Sequence, residues 1–317
     1  MTALPVTATY RGRFAPSPTG PLHFGSLVVA LASALEARAQ GGEWHLRIED
    51  VDAPRCLPAH ADEILRTLEN FGFCWDGPVV WQRARTQAYE VALQYLRERE
   101  RVFPCACTRR ELADAEIFGI AVDGAALYPG TCRHGLPTGT SARAWRLVVD
   151  STVIAFTDAV QGKVHSALAA DVGDFVLRRA DNLFAYQLAV VVDDAAAGIS
   201  HVLRGADLLH STARQIFLQQ CLGLPTPSYA HVPIAVNSNG EKLSKQTGAA
   251  PISVQHAGVE LVAALNFLGQ SPAPGLARAS VAEIWQWATA HWSLAKVPQL
   301  MNQAYQPAQT GGQRECE

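Results

Sequence analysis

The 317-residue sequence predicts an α/β fold built around a parallel sheet. Three observations carry that expectation. Near the N-terminus a strand pattern, a proline-rich loop, an apolar helix pattern and a second strand pattern follow one another, which is a βαβ unit with a right-handed crossover. The run 186–193, YQLAVVVD, is continuously apolar, as a strand buried on both faces of a parallel sheet would be. The composition, 49% hydrophobic and 17% charged, is that of a globular chain with a real core.

Taken in order, residues 11–15 read as the first strand, and Pro16-Ser17-Pro18-Thr19-Gly20-Pro21 cannot continue it as helix. Residues 26–39 read as an apolar helix stopped by Gly41-Gly42, and 44–48 as a strand ending at Glu49-Asp50. Helices are expected over 60–71 and 86–101. The stretch 103–139 is rich in Cys, Gly and Pro and reads as an insert. Strand patterning returns over 144–156, a helix is expected over 211–222, and 249–292 is expected to be helical before a loose tail. The chain then divides into 10–102 as the first half of the sheet domain, 103–172 as the cysteine-bearing insert, 173–248 as the second half, and 249–317 as a short helical C-terminal region with its tail.

A net charge of −3 excludes a broadly basic surface, so any nucleic-acid contact would use local patches. No segment reaches the length of a membrane span, and the best apolar run, 27–35, ends at Glu36. The N-terminus lacks the layout of a secretion signal, so no membrane partner is expected. Seven cysteines are an odd count, and only three cluster, within 105–132. That pattern predicts a reducing, cytoplasmic setting and a metal site rather than a disulfide framework.

Two motifs carry chemistry. The first is Pro16-Ser17-Pro18-Thr19-Gly20-Pro21-Leu22-His23-Phe24-Gly25-Ser26. Gly25 lets backbone approach a ligand closely, the following helix N-terminus favours phosphate, and His23 can hydrogen-bond a phosphate oxygen as charge gathers. The second is Glu241-Lys242-Leu243-Ser244-Lys245-Gln246, after the turn Asn237-Ser238-Asn239-Gly240. Two lysines flanking a serine on such a loop can close on a triphosphate and neutralise its charge. Cys105-Ala106-Cys107 with Cys132 downstream looks like a closed structural zinc site, for which ordinary ligand chemistry favours His134 as the fourth donor. Cys56, Cys74, Cys221 and Cys316 have no evident partners.

Together the two motifs resemble the HIGH and KMSKS signatures of class I aminoacyl-tRNA synthetases, with Phe24, Ser26, Leu243 and Gln246 as departures. Residues 13–20 (RFAPSPTG), 46–52 (LRIEDVD), 174–181 (DFVLRRAD), 186–194 and 199–207 (ISHVLRGAD) resemble the glutamyl subgroup, so the similarity runs over about 10–250. The resemblance implies a Rossmann-like catalytic domain with a zinc-binding insert. It implies ATP binding by Pro18, Thr19, Gly20, His23, Gly25, Ser26, Lys242, Ser244 and Lys245, with His23, Lys242 and Lys245 stabilising the transition state. It implies a glutamate pocket of Arg13, Phe14, Ala15, Pro16, Ser17, Glu49, Tyr186 and Arg204. Two arginines and one carboxylate complement the two carboxylates and one ammonium of glutamate. Glu49 is expected on the ammonium and Tyr186 on the pocket wall, the two arginines being open as to which carboxylate each meets. For the metal the resemblance points to Tyr128 in place of His134, in the pattern CxC…YxxxC.

Only 71 residues follow Gln246, fewer than a helical anticodon-reading domain needs. A short glutamyl core with a CxC…YxxxC insert resembles the glutamyl-queuosine tRNA(Asp) synthetase family. That resemblance implies activation of L-glutamate with ATP and Mg²⁺, without tRNA. It further implies transfer of the glutamate to the cyclopentenediol of queuosine at the wobble position of tRNA(Asp), by a monomer. RNA loops suit such a site, because their bases can splay into a pocket. The competing readings are a truncated glutamyl-tRNA synthetase charging the 3′ end, a non-catalytic glutamate- or tRNA-binding paralogue, and a HIGH-type nucleotidyltransferase for a small metabolite. Intact His23, Lys242 and Lys245 speak against the second, and Arg13, Glu49 and Arg204 against the third.

Overall fold

The computed structural model describes residues 9–113, 121–122, 126–243 and 250–305. β1 (Arg11–Phe14) leads through the proline loop into α1 (Phe24–Ala39), and β2 (Glu43–Ile48) returns parallel to β1. The turn between them needs glycine: a Cβ on Gly42 would collide with the Tyr10 carbonyl. α2 (Pro58–Asn70) follows, and β3 (Val80–Trp81) extends the sheet beside β2, again in parallel. α1 is apolar almost all round, and Leu27, Leu31 and Leu35 on one of its faces are sealed from solvent. That is the behaviour of a helix at the centre of a core rather than on its surface.

α3 (Thr86–Glu98) leads to β4 (Val102–Cys105) and the short helix α4 (Arg109–Ala113). β5 (Ala144–Leu147) is antiparallel to β4. β6 (Val153–Asp158) and β7 (Gly162–Ala167) form a hairpin, so the strand patterning over 144–156 resolves into two strands joined by a turn at Asp150. After the single turn α5 (Leu168–Asp171), β8 (Val176–Arg178) pairs with β5.

The run 186–193 is not a strand. It is α6 (Tyr186–Ala196), with Leu188, Ala189, Val190 and Val191 all but inaccessible. A short apolar run fits a buried helix as well as a buried strand, and burial on all sides removes the polar face that would reveal the helical period. β9 (His201–Gly205) then lies beside β1, where the Ser200 amide donates to the Arg11 carbonyl at 3.0 Å. α7 (Leu209–Leu222) crosses over to β10 (Ser228–Val232), parallel to β9. Two parallel strand–helix–strand units thus stand side by side, with β1 and β9 adjacent.

β11 (Ile234–Val236) precedes the KLSKQ segment. The expected helix over 249–292 is two helices, α8 (Ala257–Phe267) and α9 (Val281–His291). The break is enforced by Pro272, Pro274 and Gly269, which has φ +74° and whose Cβ would collide with the Lys296 carbonyl. α9 opens on a full capping box between Ser280 and Glu283. β12 (Asn302–Ala304) finally returns to pair in parallel with β11, and Tyr305 stacks on Phe24 at 3.5 Å between ring centroids. Among the described residues no helix is long and apolar enough to cross a membrane.

Candidate active site

A cleft of about 580 Å³ opens at the ends of β1, β2 and β9. Arg13, Phe14, Ala15, Pro16, Ser17, Thr19, His23, Gly25, Ser26, Glu49, Tyr186, Arg204 and Lys242 all line it. The expected residues therefore converge from segments far apart in sequence, at the place where open α/β sheets bind ligands. Pro18 and Gly20 belong to the same loop but are not part of the lining. Tyr186 reaches the cleft from the first turn of α6, not from a strand end. Ser244 and Lys245 lie outside the described residues.

His23 stands at the N-cap of α1 and its Nε2 lies 3.2 Å from the Ser26 hydroxyl. Its ring packs over Gly25, where a Cβ would press on it at 3.2 Å. Across the cleft, Lys242 Nζ meets Asp207 Oδ2 at 2.5 Å. Asp207 can approach only because Gly205 has no side chain, since a Cβ there would collide with its carboxylate. The KLSKQ segment is tied down on both flanks. On one side Leu243 N donates to Ala235 O at 2.8 Å, and on the other Ile252 N donates to Leu22 O at 3.0 Å, next to His23.

Each guanidinium in the cleft is held from behind. Arg13 is buried and makes a fork to Asp194, from Nε to Oδ1 at 3.2 Å and from Nη2 to Oδ2 at 3.3 Å. This leaves its Nη1 edge for a ligand. Arg47 bridges the two acids, reaching Asp194 Oδ1 at 2.6 Å and Glu49 Oε1 at 3.0 Å. Burial would raise the Asp194 carboxyl, but Arg13 and Arg47 outweigh it and hold the group below the usual carboxylate range. Glu49 is pushed up by burial, and Arg47 only partly offsets this. The neighbouring Asp193 takes Tyr89, Gln82 and Arg85, which fastens α6 to the loop before α3.

Arg204 donates from Nη1 to the Tyr186 hydroxyl at 3.2 Å, from Nη2 to Thr212 Oγ1 at 2.9 Å, and from Nε to His231 Nε2 at 3.0 Å. Sequence reasoning assigned no role to Arg47, Asp194, Asp207, Thr212 or His231. The signal that could have found Asp194 is the pair Asp193-Asp194 directly after the apolar run Leu188–Val192, since carboxylates that continue a buried run need partners.

A second constellation lies in the cysteine-bearing segment. The sulfurs of Cys105, Cys107 and Cys132 lie within 4.8 Å of one another, with Cys107 and Cys132 at 3.7 Å. The Tyr128 hydroxyl is 3.5 Å from Cys105 Sγ and 3.6 Å from Cys107 Sγ. A tetrahedral ion with sulfur arms of about 2.3 Å and one oxygen arm of about 2.0 Å has edges of about 3.8 and 3.5 Å, so the donor set fits such an ion. His134 is exposed and is not part of the cluster. The Arg146 guanidinium lies 4.0 Å over the Tyr128 ring.

Comparison with known proteins agrees with this arrangement. The family described as tRNA synthetases class I (E and Q), catalytic domain, matches residues 9–273. A glutamyl-Q tRNA(Asp) synthetase of Aromatoleum aromaticum is 60% identical over 292 residues, covering 92% of this chain and 91% of that protein. That of Dechloromonas aromatica is 60% identical over 293 residues, covering 92% and 97%. The chain belongs to the glutamyl-Q tRNA(Asp) synthetase family. The fold is that of the class I synthetases. The crystal structure of glutamate-tRNA synthetase from Elizabethkingia anophelis has a TM-score of 0.78 at 26% identity, covering 94% of this chain and 68% of that one.

Proposed function

We propose that this chain is an ATP-dependent ligase that activates L-glutamate and transfers it to queuosine in tRNA(Asp). The observation that carries the proposal is the convergence of Arg13, Glu49 and Arg204 in one cleft that also holds His23 and Lys242. Two guanidiniums and one carboxylate form the complement of glutamate's two carboxylates and one ammonium. The kinship with synthetases of that name at 60% identity supports the choice of substrate.

In this reading Glu49 takes the α-ammonium, Arg13 and Arg204 share the carboxylates, and Tyr186 walls the pocket. An α-carboxylate oxygen attacks the α-phosphorus of ATP. The bond to the pyrophosphate oxygen breaks and pyrophosphate leaves; Mg²⁺ bound with ATP would shield the phosphate charge. His23 and Lys242, with Lys245 and Ser244 beyond the described segment, hold the charge that gathers on the phosphates and exchange no protons. Thr19, Gly25 and Ser26, at the mouth of α1, leave room for the nucleotide, with Pro18 and Gly20 shaping the loop. A hydroxyl of the queuosine ring then attacks the glutamyl carbonyl carbon, the carbonyl–oxygen bond to the phosphate of AMP breaks, the hydroxyl proton passes to the departing phosphate or to water, and an ester results. Zn²⁺ on Cys105, Cys107, Cys132 and Tyr128 would brace the insert and take no part in the chemistry. A cytoplasmic monomer accords with these substrates.

The test is to incubate the protein with ATP, Mg²⁺ and labelled glutamate, adding tRNA(Asp) with or without queuosine. Label on the queuosine-bearing tRNA alone is the expected result. Equal label on both, or label on tRNA(Glu) only, overturns the acceptor assignment in favour of 3′-end charging.

A further inference from the structure

Behind the glutamate pocket lies a chain of buried polar groups in which no member is within reach of a ligand except the last. Asp158, at the end of β6, and His231, next to the end of β10, have side chains wholly shut off from solvent. Asp158 Oδ1 accepts three backbone amides, from Val160 at 3.0 Å, Gln161 at 2.8 Å and His231 at 3.1 Å. Its other oxygen, Oδ2, stands 2.6 Å from His231 Nδ1. On the far side of the ring, His231 Nε2 is 3.0 Å from Arg204 Nε and 3.2 Å from Thr212 Oγ1.

The donor count fixes the tautomer. A guanidinium has five N–H donors and no acceptor, so the Arg204 contact requires a lone pair on Nε2. The ring proton must then sit on Nδ1, facing the Asp158 carboxylate, and the imidazole must be neutral. Burial pushes His231 down to about 4, Asp158 drawing it partly back, which agrees with a neutral ring. With Nε on His231, Nη2 on Thr212 and Leu208 O, and one Nη1 hydrogen on Tyr186, a single Nη1 hydrogen of Arg204 remains to meet a ligand in the cleft.

We propose that His231 is a positioning residue for glutamate. Its neutral Nδ1–H form, oriented by Asp158, sets the angle at which Arg204 presents that remaining hydrogen to a substrate carboxylate. The inference rests on the functional reading above. It also makes the β6–β7 hairpin, otherwise remote from the chemistry, a support of the pocket.

Two measurements decide it. The first is glutamate-dependent ATP–pyrophosphate exchange on H231F, which keeps an aromatic ring but loses the acceptor, on H231Q, which restores an acceptor, and on D158N. H231F should raise KM for glutamate by about tenfold to a hundredfold, the range for one lost charge-assisted hydrogen bond, with KM for ATP within about twofold. H231Q should recover most of the loss, and D158N should fall between. The second is the nitrogen NMR spectrum of the histidines at neutral pH, with His231 assigned by its absence in H231Q. It should show a protonated Nδ1 and an unprotonated Nε2. The proposal is overturned if the folded variants keep the wild-type KM for glutamate, or if KM rises equally for both substrates without rescue by H231Q. A protonated Nε2 overturns it as well. Wild-type protein inert in glutamate exchange would sink the functional reading instead, while the spectrum still decides the tautomer.

Discussion

Glu49 is the residue on which the choice of an amino-acid substrate turns. It is largely shielded from solvent, leans on Arg47 at 3.0 Å, and lines the cleft directly after β2. Replacing it by Gln keeps the shape and removes the charge. E49Q should lower kcat/KM for glutamate by about a hundredfold, equivalent to about 3 kcal/mol, while leaving the nucleotide site intact; exchange kinetics with both substrates varied would show this. Histidine 231 makes a second prediction. Its folded value lies near 4, against an ordinary 6.5, so between those limits the unfolded chain binds a proton that the folded one refuses. Stability therefore rises with pH across that window and falls on acidification. The contribution lost by pH 5 is about 2 kcal/mol, and thermal melts of wild type against H231Q between pH 7 and 5 should show the steeper loss in the wild type. The expected residues that line the cleft were legible in the sequence because most of them sit in contiguous motifs. Those that hold them were not: Asp158 and His231 belong to separate strands, and no local period or spacing links a carboxylate on a hairpin to an imidazole on a sheet.

At the scale of elements, the N-terminal βαβ unit was legible throughout, since Gly41-Gly42 and the proline loop mark its boundaries whatever packs around it. α6 was misread for an equally physical reason. Four successive residues, Leu188–Val191, are buried and go almost once round the helix, so the sequence carries no amphipathic period there. The helix α1 allows a direct test of packing. L31A, at the sealed centre of that helix, should lower the unfolding free energy by about 2–5 kcal/mol in urea titration. The sulfur cluster allows another. Burial and the neighbouring thiols push Tyr128 far above an ordinary phenol, so without a cation it keeps its proton. Chelation should release one zinc per chain and expose 102–147 to protease, and Y128F should weaken zinc retention about tenfold or more, read by metal analysis after dialysis against a competing chelator.

At the scale of the whole molecule, the site is assembled from both ends of the described chain. Phe24, directly after His23, lies under Tyr305, whose amide also donates to Val236 at 2.9 Å, at the start of the lysine-bearing segment. One residue near residue 305 thus braces both signature motifs. Y305A should cost about 1–2 kcal/mol in stability and, if the proposed assignment of His23 and Lys242 to ATP holds, raise KM for ATP more than KM for glutamate; a thermal melt and exchange kinetics would check the two halves of that statement.

The pairing of β12 with β11 also orders events during synthesis. β1, α1 and β2 can close on one another early, but the cover over Phe24 and the outer edge of β11 arrive only when residue 302 and its followers leave the ribosome. Until then β11 presents an open strand edge and Phe24 an uncovered ring, both of them surfaces for chaperones to hold. The last strand and ring of the described chain are thus the pieces that close the edge of β11 and the face of Phe24.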